Sequence, residues 1–216
     1  MTTATALEPA AQAALEHSRR LMERNLRLLH DVLSRSPMSG RTWLFGGLLL
    51  SAVREGEIML HDTKDADFGF LRDDLDRMVA TFPLLVDAGF EPYRRFPAAA
   101  GVAHEYSFLR EDAKYEFFVC DVEGDRLTWR NCGHRHGVPT LNRCAIPAQS
   151  QDEIAFVGRT WLKPRDADLE LTALYGDWRT PSPGFGYMEA PTIVSRHAWD
   201  DSTFGRWAEA YRVTGC

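Results

Sequence analysis

The longest apolar run in this chain, Trp43 to Val53, is interrupted by Gly46-Gly47 and stopped by Arg54. It falls well short of the roughly 20 residues that a membrane-spanning helix needs. The aromatic stretch Thr42–Phe45 predicts a short strand, the two glycines a tight turn, and Leu48–Arg54 a short helix starting at that turn. This strand, glycine turn and helix form an early α/β unit, and with the antiparallel strands read further along the chain the expected class is mixed α/β, of the α+β type.

The other elements are read from periodicity. Over residues 8–35, Met22, Leu26, Leu29 and Leu33 recur at helical steps and predict one long helix, ended by Ser36, Pro37, Ser39 and Gly40. Ala66–Leu71 reads as a strand, and Asp73–Ala88 as a helix interrupted or bent near Pro83 and closed by Gly89. His104–Leu109 and Lys114–Cys120, separated by the charged turn Arg110–Ala113, predict an antiparallel hairpin. Gly124–Gln151 lacks a clear period and is assigned to loops. Asp166–Gly176 has helical spacing and is ended by Pro181-Ser182-Pro183-Gly184. The tail after Ala190 is read as loop with one short helix containing Phe204 and Trp207. No repeat or composition break divides the chain. The expected layout is one domain, with an N-terminal helical segment at 1–40, a core at 41–190 and a tail at 191–216.

Composition bounds the function. A hydrophobic fraction of 44%, with 12 Phe, 6 Trp and 6 Tyr, belongs to a packed chain rather than a disordered one. A net charge of −6 argues against coating a nucleic-acid polymer, which requires basic stripes. The N-terminus lacks a basic start followed by an apolar stretch, so a cytoplasmic location is expected, with the four cysteines as thiols.

Asp65-Ala66-Asp67 is the centre of the chemical argument. Residues two apart on a strand project from one face, where two carboxylates can share a divalent cation. Hard oxygen ligands suit Mg²⁺ or Mn²⁺. About twenty residues upstream, Gly46-Gly47 offers backbone N–H groups with no side chain in the way, a candidate phosphate contact. Arg54 and Lys64 are candidate phosphate partners or ordinary surface cations, and His61 either assists a phosphate or caps a loop. In the strand carrying Glu116, Tyr115, Phe117 and Val119 share one face, while Glu116 and Phe118 point to the other. Glu116 can complete a metal site or act as a general base, with Asp121 the neighbouring candidate. Tyr175 and Trp178 either stack on a base or pack the last helix.

Three blocks, GGLLLSAVREGEIMLHDTKDADFGF (Gly46–Phe70), YEFFVCD (Tyr115–Asp121) and LYGDWRTP (Leu174–Pro181), together resemble the LicD/fukutin family of phosphotransferases. That family's pattern has a G-T-L-L-G-A-V-R stretch, an Asp-x-Asp, a later strand with a third acidic residue, and a Y-G-x-D/W-x-x-P motif. Gly47, Leu49, Leu50, Ala52, Val53 and Arg54 match the first block, Asp65 and Asp67 the second, Glu116 the third, and Tyr175, Gly176, Asp177, Trp178 and Pro181 the last. The resemblance implies a nucleotidyltransferase-like mixed sheet flanked by helices, with Mg²⁺ or Mn²⁺ held by Asp65, Asp67 and Glu116. It implies a nucleotide beside Gly46, Gly47, Ser51, Arg54, Lys64, Tyr175 and Asp177. The implied reaction moves a phospho-alcohol from a cytidine-diphosphate donor to a hydroxyl, on a small molecule or a glycan. Leu48 replaces a small polar residue of the pattern, Ser51 a glycine and Glu116 an aspartate, and the Arg54–Asp65 stretch is one residue longer than in many members.

A second resemblance is to aminoglycoside nucleotidylyltransferases, which combine a Gly-Gly turn, an acidic pair and a helix start like Arg72-Asp73-Asp74-Leu75 and move a nucleoside monophosphate from an NTP. LYGDWRTP favours the first family. A nucleotide-binding relative without catalysis is a third reading, supported by the Glu116 and Ser51 departures. Cys132, His134, His136 and Cys144 are possible zinc ligands, but their spacing matches no strong zinc pattern, so loop histidines and buried thiols are the favoured reading.

Overall fold

The computed structural model describes residues 8–97, 103–182, 185–198 and 205–206. The α-helices among the described residues are α1 (Pro9–Leu33), α2 (Gly46–Leu50), α3 (Leu75–Asp87) and α4 (Ala167–Tyr175). The strands in chain order are β1 (Thr42–Leu44), β2 (Asp65–Leu71), β3 (Glu91–Pro97), β4 (Ala103–Arg110), β5 (Ala113–Glu123), β6 (Arg126–Arg135), β7 (Val138–Pro147), β8 (Gln151–Phe156), β9 (Arg159–Pro164), β10 (Ile193–Ala198) and β11 (Gly205–Arg206). They join in one mixed sheet whose main path runs β10-β7-β6-β5-β2-β1-β9-β8, with β4, β3 and β11 branching from β5. The mixed α/β class expected from the sequence is therefore present.

Alternation along the central strands builds two layers. Ala66, Phe68 and Phe70 of β2 and Tyr115, Phe117 and Val119 of β5 face a core filled by Met22, Leu26 and Leu29 of α1 and Met78, Phe82 and Leu85 of α3. Phe68 stacks on Phe117 with ring centroids 5.2 Å apart. On the opposite face a smaller cluster gathers Trp43, Phe45, Cys120, Trp129 and Leu174, with Phe118 packed against it. Gly69 faces Trp43 across the β1–β2 pair, and a Cβ there would collide with the indole ring. The glycine is what lets the tryptophan lie flat on the sheet.

Helix α1 is fastened near its C-terminal end. The Asp31 carboxylate accepts two hydrogen bonds from Arg159, at 2.7 and 2.8 Å, and His30 meets Trp161 edge-on at 4.9 Å. Helix α2 continues directly into a π-helical turn, Ser51–Glu55, which closes at Gly56 in the left-handed region. Helix α3 is not interrupted at Pro83, and Gly89 follows it at φ +82°.

The largest departure from expectation is Gly124–Gln151, which is not loop. It forms the β6–β7 hairpin, turned by His136 and Gly137, both at positive φ. Its signal was hidden because polar residues sit within the sheet. Asn142, fully buried, donates to Asn131 Oδ1 at 2.9 Å across the pair. The β8–β9 hairpin, turned at Val157-Gly158, and strand β3 also carried too few apolar residues to read as strands. Ile193–Ala198, expected as loop, is β10, paired to β7. Phe204 and Trp207, expected in a short helix, lie outside the described residues, but Gly205–Arg206 between them are not helical: they pair with β3 as strand β11.

Glu170 of α4 is only 1% exposed, and neither of its carboxylate oxygens has a hydrogen-bond partner. Burial pushes its carboxyl from an ordinary 4.5 up to about 8. Across that window the folded state holds a proton that the unfolded state has released, so stability falls as pH rises, by about 1.4 kcal/mol per pH unit. Glu170→Gln removes the titration while keeping the shape. Its melting temperature is expected to exceed that of the wild type by several degrees at pH 8 and to match it near pH 5. Parallel melting curves across that range check this.

Candidate functional site

The parallel pairing of β2 with β5 sets the site. The register places Asp65 beside Lys114 and Asp67 beside Glu116, all four on the face opposite the phenylalanine core. The ligand oxygens of Asp65, Asp67 and Glu116 all lie within 4.8 Å of one another. Among the described residues this is the only cluster of three or more His, Cys, Asp or Glu side chains able to hold a metal. It lines a cavity of about 800 Å³, a size that suits a small-molecule ligand.

The glycine turn carries the acidic pair from behind. Gly46 has φ +51°, and a Cβ there would lie 2.5 Å from Asp67 Oδ2. The Gly47 amide donates to the same oxygen at 3.3 Å, and Phe45 N–H donates to the Asp67 carbonyl at 3.0 Å. A Cβ on Gly47 would collide with the carboxylate of Asp62. These glycines therefore seat carboxylates at close range, while Gly46 also borders the cavity.

Other residues singled out in the sequence fall in different places. Tyr175 lines the cavity and meets Phe185 edge-on at 4.7 Å. Ser51 is buried away from the cavity wall, with its Oγ 3.5 Å from the Met59 amide. Arg54 donates to the Trp178 carbonyl at 3.0 Å and contacts Met59 Sδ at 2.9 Å, tying the π-helical turn to the LYGDWRTP block instead of bordering the cavity. Lys64, His61 and Asp177 are exposed and outside the cavity lining, and the Lys64 carbonyl accepts from the Lys114 amide. Asp121 is engaged bidentately by Arg72, at 2.5 and 2.7 Å, and stands apart from the triad. Cys132 and His134 border the cavity, but Cys144 is buried opposite Trp129 and His136 sits in the hairpin turn, so the four possible zinc ligands are not brought together. Cys120, Cys132 and Cys144 are free thiols.

Three contributors escaped the sequence reading. Lys114 Nζ lies 2.8 Å from Glu116 Oε1 and 3.3 Å from Asp65 Oδ2. Its two-residue spacing from Glu116 was the available signal, the same one that singled out Asp65 and Asp67. Glu105 on β4, 3% exposed, lines the cavity diagonally across from Glu116. Asp62 stands behind Gly47 in the stretch leading to β2. For these two only the tertiary pairing reveals proximity.

The charge balance is strongly perturbed. Burial, with Glu116 adding repulsion and Lys114 partly offsetting it, pushes Asp65 up to about 7. Asp67 is raised well above the ordinary carboxylate range by burial and then by Asp65 and Glu116. Glu105 is raised well above it by burial and by Glu116, and Asp62 is raised by burial. Burial alone would lower the Lys114 ammonium, but Glu116 and Asp65 outweigh that and hold it above its usual value. A face this acidic is stabilised by any ligand that brings positive charge.

No protein-family model matches this chain, and no curated protein matches it either. Among the described residues no helix is long and apolar enough to cross a membrane.

Two outcomes follow from the geometry. Asp65, raised to about 7, costs the metal-free fold stability as pH climbs from the ordinary carboxylate range through 7, because the folded state gives up its proton later. A divalent cation binds the ionised form and reverses that loss. Thermal stabilisation by Mn²⁺ is therefore expected to be larger at pH 8 than at pH 6, and equal stabilisation at both would show that no raised carboxyl titration limits metal binding. Gly46→Ala, strained at positive φ and pressed against Asp67, is expected to weaken Mn²⁺ binding by at least about tenfold, read by calorimetry.

Proposed function

We propose that this chain is a metal-dependent transferase of the nucleotidyltransferase type, similar to the LicD family, that moves a phospho-alcohol from a nucleotide-diphosphate donor to a hydroxyl acceptor. The observation that carries the reading is the in-register set of Asp65, Asp67 and Glu116 at the wall of one cavity. The donor set fits a small hard ion: all three ligands are carboxylates, and Asp65 Oδ1 is buried without a partner. Mg²⁺ or Mn²⁺ held there supplies charge neutralisation for phosphate oxygens.

The residues of the chain supply position. An acceptor hydroxyl attacks phosphorus in line, forming a new O–P bond while the bridging P–O bond to the nucleoside monophosphate breaks. The hydroxyl proton passes to a carboxylate, for which Glu116, bordering the cavity beside Asp67, is the candidate base. Phe45 and Trp129, edge-on at 5.1 Å, and Tyr175 give the cavity aromatic walls against which a base or sugar can pack.

Asp67→Asn keeps the size of the side chain and removes a ligand charge. It is expected to lower turnover by at least about 10²-fold while leaving the melting temperature of the metal-free protein equal to or above that of the wild type, since a repelling carboxylate has gone. Near-wild-type turnover would refute the role. The donor class is tested by thermal shift with CDP, CDP-choline, CTP, ATP and GTP, with and without Mg²⁺ or Mn²⁺. Metal-dependent stabilisation by cytidine diphosphates supports the proposal. Stabilisation by triphosphates alone favours nucleotidylyl transfer, and binding without product under any pair favours an inactive relative.

A further inference from the structure

The acidic face of β2 and β5 contains its own cation. Lys114 is paired with Asp65 in the β2–β5 register and lies two residues from Glu116, so its ammonium stands between two of the three candidate metal ligands. It uses Glu116 Oε1 and Asp65 Oδ2, whereas Asp65 Oδ1 is buried and has no partner. A second unsatisfied acceptor borders the same cavity: Oε1 of Glu105, a residue 3% exposed, has no hydrogen-bond partner. Two unpartnered buried oxygens beside one resident ammonium mark a place built for one further cation.

Phosphoryl-transfer sites with two divalent ions hold them about 3.5–4 Å apart on shared carboxylates. Here one of the shared positions, the bridge from Asp65 to Glu116, is already filled. A lysine ammonium is a compact point charge that donates to carboxylate and phosphate oxygens, and it sits where a second ion would share ligands with the first. We propose that Lys114 takes the place of a second metal ion, so that the site binds a single divalent cation and Lys114 itself offers the second positive contact to the donor phosphates. This rests on reading Asp65, Asp67 and Glu116 as a metal site.

The consequence is a count. Mn²⁺ binding, followed by electron paramagnetic resonance and calorimetry with and without CDP, is expected to show one ion per wild-type chain and no Mn–Mn dipolar coupling. Lys114→Met removes the resident charge. It is expected to bind Mn²⁺ at least tenfold more tightly and, with CDP present, to admit a second ion that is magnetically coupled to the first. Lys114→Arg retains the charge and is expected to keep a single ion, which separates charge from loss of the fold; melting curves of all three proteins accompany the titrations. Two coupled ions in the wild type would overturn the substitution of lysine for metal while leaving the metal site standing. One ion of unchanged affinity in a folded Lys114→Met would do the same. No Mn²⁺ bound by any of the three folded proteins would overturn the metal site itself, and this inference with it.

Discussion

The parallel, in-register contact between β2 and β5 is the constraint on which the rest of the molecule depends. Each strand alternates, so one register decision sorts two sets of side chains at once. Phe68 and Phe70 join Phe117 and Val119 in the core beneath α1 and α3, while Asp65 and Asp67 are carried to Lys114 and Glu116 on the other face. A slip by one residue would send carboxylates into the aromatic layer and phenylalanines into the cavity. The hydrophobic core thus enforces the geometry of the acidic site, and no contact among the charged groups is needed to choose it.

That arrangement places function and stability in opposition. Asp62, Asp65, Asp67 and Glu105 are all raised above their ordinary range, with burial as the largest cause for each, and among the described residues it is Lys114 that forms ion pairs with Asp65 and Glu116. Concentrating carboxylates under partial burial is unfavourable unless a cation joins them. The surrounding packing holds the cluster together: Trp43 over Gly69, Phe45 against Trp129, and the amides of the glycine turn behind Asp67. Rigid apolar neighbours keep the repelling groups from moving apart, which preserves a strong affinity for positive charge.

Several residues singled out in the sequence as candidates for the site work here as ties of the frame. Arg54 reaches the Trp178 carbonyl across 124 positions of sequence, joining the turn after α2 to the end of α4. Trp178 in turn donates its indole N–H to Asp168 at 3.0 Å. Asp121, plausible as a ligand from its place in the chain, is neutralised by Arg72. Such contacts explain how motif residues can sit outside the cavity and still matter: they fix the relative position of the elements that line it.

Local periodicity carried much of this protein by itself. The stripe of Met22, Leu26 and Leu29 and the aromatic alternation around Phe68 and Phe117 each report a short-range steric or hydrophobic preference, and these read directly as α1, β2 and β5; the glycines at 46 and 47, expected as a turn ahead of a helix from Leu48, are the first two residues of α2. The two-residue spacing of Asp65 and Asp67 likewise needed only the pleat of a strand. What tertiary structure decided was which strands meet. The β6–β7 hairpin stayed hidden because the buried Asn142 amide finds its acceptor, Asn131 Oδ1, only once the strands are paired, a compensation invisible in either segment alone. Glu105 and Asp62 reached the site through β4–β5 pairing and a turn packed behind Gly47, and Arg54 and Asp121 were drawn away from it by partners distant in sequence. Period and propensity act over a few residues, whereas charge and hydrogen-bond satisfaction are settled between segments, and only the folded chain brings those segments together.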